Sequence, residues 1–161
     1  MADFVLYPDP RLGQPAIVRD GVDDALRATG ERLLAAAKAW KAHGLAAVHI
    51  GEVAPVVVAG GGPVEYRLLF NPRVIAVSDE RETGEEGSVS LPGVRVMVER
   101  PLWADVAFHT ETGEAEAQRL SGFAARVALH EIDQMNGIFF LERVSRLKRD
   151  MALKKAKKRS G

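Results

Sequence analysis

From about residue 23 to 42, Leu26, Leu33, Leu34, Ala37 and Trp40 recur at three- and four-residue intervals with charged residues between them. That is the period of an amphipathic helix, and Gly44 is read as its stop. The pattern then shortens to apolar runs of strand length at residues 45–50, 55–59, 66–70 and 74–77. Gly60-Gly61-Gly62-Pro63 parts the second run from the third. With no Gly-Lys-Ser/Thr and no helix after it, this segment predicts a hairpin turn rather than a phosphate cradle. Residues 79–86 are acidic and contain glycine, so a solvated loop is expected there. Val94, Val96 and Val98 then alternate with polar neighbours. A strand over 104–108 follows Pro101, and Thr112-Gly113 marks a turn before a strand at 115–119.

A second helical pattern runs from Ser121, the expected N-cap, to Asn136-Gly137, which supplies the stop. Phe139, Phe140 and Leu141 form a short apolar stretch, and a basic helix is expected from about 144 to 159. Near the start, Tyr7-Pro8-Asp9-Pro10-Arg11-Leu12 carries prolines at two positions and predicts an extended, tethered arm. The order of elements predicts an α+β fold, with mostly antiparallel strands around a central, buried second helix. A chain of 161 residues supports one domain over 1–161, of which about 147–161 is a basic helix or tail.

Composition changes this picture little. Lys and Arg total 22 against 22 Asp and Glu, and 47% of residues are hydrophobic, so no global charge draws the chain to nucleic acid. No run approaches the roughly 18 apolar residues of a membrane span, and Asp3 stands where a basic leader would begin. No membrane partner and a cytoplasmic location are therefore expected. Cysteine is absent, which excludes disulfides and any thiolate ligand.

The local signal richest in chemistry is His130-Glu131-Ile132-Asp133-Gln134 on the second helical pattern. His-Glu-x-x-His on a helix sets imidazoles at i and i+4 on one face for a metal, with the glutamate beside them to take a proton from bound water. Here the second imidazole is Gln134. Upstream stand Gly44-Leu45-Ala46-Ala47-Val48-His49 and Glu86-Gly87-Ser88-Val89-Ser90.

In order and approximate spacing, these segments resemble the motifs of the peptide deformylase family, Gly-x-Gly-φ-Ala-Ala-x-Gln, Glu-Gly-Cys-φ-Ser and His-Glu-x-x-His. The likeness extends to Tyr7-Pro8-Asp9-Pro10-Arg11-Leu12, Ala125-Arg126, Asn136-Gly137 and Leu141-Glu142-Arg143-Val144-Ser145. The resemblance implies a deformylase-like fold around the helix that carries the His-Glu-x-x-Gln motif. It implies a ferrous, nickel or zinc ion held by the cysteine of the second motif and both histidines of the third, positions that are Ser88, His130 and Gln134 here. The glutamate that moves protons during removal of the N-formyl group from nascent N-terminal methionine is retained as Glu131. The glutamine that stabilises the oxyanion is replaced by His49, and Val89 would supply the accompanying backbone N–H. Gly44, Leu45, Glu86, Val89 and Arg95 match substrate-cleft positions, and Ala42 replaces the first glycine.

A full ligand set can hold structural zinc with roughly 10–16 kcal/mol. A protonated serine and a neutral amide are poor substitutes, which leaves His130 as the one good ligand and no metal expected. Glu131 acting alone as a general base supplies about 10²–10⁴ in rate, short of the roughly 10⁶ or more of ordinary enzymes. The expectation is a deformylase homologue that has lost metal-dependent deformylation and keeps a cleft for N-terminal methionine peptides.

Alternatives stand beside it. His49, His130 and Glu131 could form a rearranged set for Fe2+, Ni2+ or Zn2+, and Ser88 could act as a nucleophile beside a histidine. The plain reading of His49 is a hydrogen bond to Glu131 or Glu86. His43 and His109 have no motif around them. Arg146, Lys148, Arg149, Lys154, Lys155, Lys157, Lys158 and Arg159 form a basic tail, read either as solvated or as a ribosome contact through RNA phosphate in a ribosome-associated or regulatory protein.

Overall fold

The structure is a computed structural model that describes residues 3–160. Asp23 precedes helix α1 (Asp24–Trp40), and its carboxylate accepts the Leu26 backbone N–H at 2.8 Å, which satisfies a free donor of the first turn. The helix closes earlier than the pattern predicts. Lys41 takes a left-handed conformation at φ 53°, and its N–H returns to the carbonyls of Ala37 and Lys38. Gly44 therefore opens strand β1 (Gly44–Ala46) instead of stopping a helix.

The strand expected over 45–50 is also cut short. Ala47–Ile50 winds into a 3-10 turn, with the ring of His49 accepting the Ala46 N–H at 2.9 Å. Strand β2 (Val56–Gly61) and strand β3 (Val64–Val77) form the hairpin predicted from the glycine run. The segments 66–70 and 74–77 belong to one bent strand, whose pairing shifts register between Phe70 and Arg73 and again between Val74 and Ala76.

The acidic segment expected as a loop is strand β4 (Arg81–Ser88), paired antiparallel with strand β5 (Leu91–Pro101). Its polar composition misleads because half of its residues are exposed, while Glu86 turns inward to the buried Arg100. Strands β6 (Trp103–His109) and β7 (Ala115–Ser121) follow, joined across the predicted Thr112-Gly113 turn. The larger sheet runs β1-β2-β3-β6-β7, antiparallel throughout, and β4-β5 forms a separate ribbon.

Alternation along the strands divides the core. Leu45, Val56, Val58 and Phe70 pack with Leu26, Leu33, Ala36 and Ala37 of α1. Ala46, Val57, Leu69 and Val106 join the opposite core with Leu129, Ile132 and Met135 of helix α2 (Gly122–Met135). Ser121 occupies the N-cap position of α2 and is also the last residue of β7, and its side chain makes no cap bond. Leu91, Val94, Val98 and residues 139–141 close this core, and helix α3 (Arg146–Ser160) adds Ala152 to it. The arm is tied down by Val5 N–H to His49 O, Tyr7 N–H to Ser90 O and Ala16 N–H to Met135 O.

Candidate functional site

β1, the 3-10 turn, the β4-β5 hairpin and α2 meet at a cleft of about 350 Å³. Gly44, His49, Glu86, Ser88, Val89, Arg95, His130 and Glu131 all line it, so segments far apart in sequence supply one site. Lys41, His43 and Phe123 add to the lining, with the rings of His43 and Phe123 edge to face at 5.2 Å. Leu45 does not reach the cleft. It points to the other face of β1 and is fully buried under α1. The glycine at 44 is required by proximity: a Cβ there would lie 2.7 Å from Val127 Cγ1 and 2.9 Å from Glu131 Cγ. Arg95 is exposed, and its guanidinium stands 3.9 Å from the Glu85 carboxylate.

Glu86 is the hub of a buried ionic network. Its carboxylate accepts from Arg100 Nε at 2.8 Å and Nη2 at 2.9 Å, from Arg126 Nη1 at 2.7 Å, and pairs with His130 Nδ1 at 2.8 Å. Arg100 also donates to Asp133 at 2.6 Å, and Asp133 is held by Arg143 as well. Burial alone would raise the Glu86 pKa, but Arg100 and His130 outweigh it and bring it to about 2. For His130, burial opposes the charge, but the Glu131 and Glu86 carboxylates prevail and raise its pKa. An imidazole that gives its Nδ1–H to a carboxylate has its ring orientation fixed.

His49 and Glu131 differ from this saturated network. His49 is 1% exposed and Glu131 5%, and His49 Nε2 and Glu131 Oε1 are both buried without a hydrogen-bond partner. Their approach, 3.7 Å from His49 Nδ1 to Glu131 Oε1, is too long for a hydrogen bond. The expected bond from His49 to Glu131 or Glu86 is therefore replaced by the one from the Ala46 N–H. Burial, aided by the charge of His130, pushes the His49 pKa down to about 3. Burial pushes the Glu131 carboxyl up to about 7, against the pull of His130.

The other two positions matching family ligands have different partners. Ser88 Oγ accepts the Ser90 backbone N–H at 3.0 Å, and neither His130 Nδ1, which pairs with Glu86, nor the unpartnered His49 Nε2 serves it as a base. Gln134 is 1% exposed and lies outside the cleft, with its amide Nε2 donating to Leu12 O at 2.7 Å. Among the described residues, no group of three His, Asp or Glu side chains is placed to hold a metal ion, and this includes His49, His130 and Glu131.

Sequence reasoning passed over Arg100 and Asp133. The signal for Arg100 was present, since it continues the inward parity of Val94, Val96 and Val98, where a charge needs a buried partner. His43, which lacks a motif, stands on the cleft wall. His109 lies elsewhere, with its Nδ1 3.0 Å from Asn71 Nδ2.

A family model described as polypeptide deformylase matches residues 1–150. A peptide deformylase of Brucella suis is 34% identical over 159 residues, covering 96% of this chain and 91% of its own. A protein of Agrobacterium fabrum named peptide deformylase-like is 40% identical over 160 residues and covers 98% of each chain. Among solved structures, peptide deformylase from Ehrlichia chaffeensis superposes with a TM-score of 0.89 at 29% identity, covering 99% of this chain and 97% of that one. The same enzyme in complex with actinonin gives a TM-score of 0.88 at 30% identity, with 99% and 97% covered.

Proposed function

We propose, from the premise that this chain belongs to the polypeptide deformylase family, that it binds short peptides with a methionine-like N-terminus without removing their formyl group by metal chemistry. The observation that carries this reading is the engagement of the family ligand positions. Ser88 offers a hydroxyl that caps Ser90, Gln134 has its amide nitrogen on Leu12, and His130 remains as the single good donor. A ferrous, nickel or zinc ion does not fit that set, because a neutral hydroxyl and a neutral amide replace the charged thiolate and the second imidazole. Recruiting His49 does not repair it, since the Nδ1 lone pair already accepts the Ala46 N–H and the remaining nitrogen carries the proton.

The cleft supports a binding role. Its wall keeps Gly44, Val89, Glu86 and Arg95 at the positions that resemble the family's substrate contacts, and its volume is within the range of small-ligand pockets. The exposure of Arg146, Lys148, Lys154, Lys155, Lys157 and Lys158 on α3 favours a second, compatible role in contacting ribosomal RNA.

The discriminating experiment is metal analysis of the purified protein together with turnover of a formyl-methionyl peptide, under anaerobic ferrous iron and with added nickel or zinc. Substoichiometric metal and no turnover are expected, alongside measurable binding of the uncleaved peptide. Stoichiometric metal with turnover abolished by Glu131→Gln would overturn the proposal.

A further inference from the structure

β7 is a bare sheet edge. Among the described residues it pairs on one side only, with β6, and Ala115, Glu116, Ala117, Gln118 and Arg119 are all exposed. The pairing with β6 runs through all seven residues without a register shift, whereas β3 meets β6 with two. Natural edges are blunted by proline, lysine, bulges or shortness, and Ala-Glu-Ala-Gln-Arg-Leu-Ser has none of these. The opposite edge of the sheet, β1, is only three residues long and borders the cleft.

The ladder decides which backbone groups are left over. Thr110 N–H donates to Glu114 O and Gly122 N–H to Leu102 O, so the even-numbered residues of β7 turn their N–H and C=O toward β6. Ala115, Ala117 and Arg119 turn theirs outward. The side chains alternate as well. Glu116, Gln118 and Leu120 lie on the face of Phe108, Val106 and Ala104, where Arg67 binds both Glu116 and Gln118. Gln118 accepts from Arg67 with its carbonyl, so what it offers a partner is its amide N–H. Glu116 engages Arg67 with Oε2 and has Oε1 to accept with. Arg119 is folded back onto Asp105 and the Trp103 ring, which keeps its charge off the edge.

We propose that β7 pairs with β7 of a second copy of this chain, antiparallel about a two-fold axis at Ala117, joining the two five-stranded sheets into one. Such an axis sets one residue opposite its own copy, and charge selects which. Centred on Ala117, Glu116 of each copy faces Gln118 of the other, carboxylate to amide, while Ala115 faces Arg119 and leaves it room. The outward groups of Ala115, Ala117 and Arg119 then meet in hydrogen-bonded pairs, each exchanging both bonds. The neighbouring registers fail on side chains. Centred on Glu116 or on Arg119, a charge faces itself; centred on Ala115, Glu116 faces Glu114; centred on Gln118, Glu116 faces the apolar Leu120. The strand is complementary to itself in one register, and the cleft, at the far edge of each sheet, stays open.

The chain has no cysteine, so single cysteines report the pairing without background. Facing Cα atoms in a hydrogen-bonded pair lie about 5.5 Å apart, within reach of a disulfide. Ala117→Cys should give an oxidised dimer by itself. Ala115→Cys and Arg119→Cys should not do so alone, but should cross-link when mixed. Sedimentation velocity of the wild type should show dimer as concentration approaches about 1 mM. Gln118→Lys sets an ammonium against Glu116 across the axis and should tighten the dimer by about threefold or more, whereas Gln118→Glu should weaken it by about tenfold. Both changes fall at an exposed position away from the cleft, so folding and formyl-peptide binding should match wild type. A wild type that stays monomeric at about 1 mM would overturn the proposal. So would Ala115→Cys cross-linking to itself as readily as Ala117→Cys, or a dimer indifferent to the sign of the charge at position 118.

Discussion

His49 and Glu131 impose opposite pH dependences on stability. The His49 pKa is about 3 in the fold against 6.5 ordinarily, so the unfolded chain takes up a proton that the folded chain refuses. Its contribution is present above 6.5 and is lost as pH falls toward 3. Glu131 is raised from 4.5 to about 7, so its contribution is present below 4.5 and is lost as pH rises through 7. Between 4.5 and 6.5 the two slopes, each about 1.4 kcal/mol per pH unit, offset one another. Denaturant unfolding across that window should therefore show little slope from this pair in the wild type. Stability should fall with rising pH in His49→Gln and rise in Glu131→Gln, and equal slopes in all three proteins would contradict this account. At this scale the motifs made both residues legible, along with Gly44 and Glu86. The charge states were not legible, because they depend on burial and on the field of His130.

Among the elements, α2 holds the N-terminal arm through Gln134. Its amide fastens the arm through Leu12 O, next to the Ala16 N–H bond to Met135 O one residue further along α2. Gln134→Ala leaves the Leu12 carbonyl without this donor and should cost about 1–3 kcal/mol. Hydrogen exchange should quicken over residues 10–16 and remain unchanged in β7. A variant as stable as wild type, with an unaltered arm, would show the bond to be incidental. β4 looked like a loop because half of its residues are exposed and its one buried side chain is the Glu86 carboxylate, matched by arginines on β5 and α2. The strand over 45–50 was overextended because the His49 ring captures a backbone N–H and turns the chain.

For the molecule as a whole, α3 is a basic helix anchored by Ala152, with Leu153 packed partly against the same core. Deleting residues 147–161 would remove that packing together with the charge, so charge substitution is the cleaner test of RNA contact. Lys154, Lys155, Lys157 and Lys158 changed together to Gln should leave the unfolding midpoint nearly unchanged. Co-sedimentation with ribosomes should weaken and lose much of its salt dependence. Co-sedimentation equal to wild type at every salt concentration would remove the ribosome role. Arg159, part of the same basic run, lies outside the described side chains. No helix among the described residues is long and apolar enough to cross a membrane.

The sequence by itself determined the α+β class, the deformylase-like order of motifs and the absence of thiolate and second imidazole, because these depend on residue identity and spacing along one chain. The tertiary structure alone decided what the replacements do. Gln134 meets Leu12 across 122 residues, Arg100 meets Glu86 and Asp133, and His49 is left with one nitrogen engaged and one unpartnered. The physical reason is that residue type states which hydrogen bonds a side chain can make, while the packing of distant segments selects which of them form.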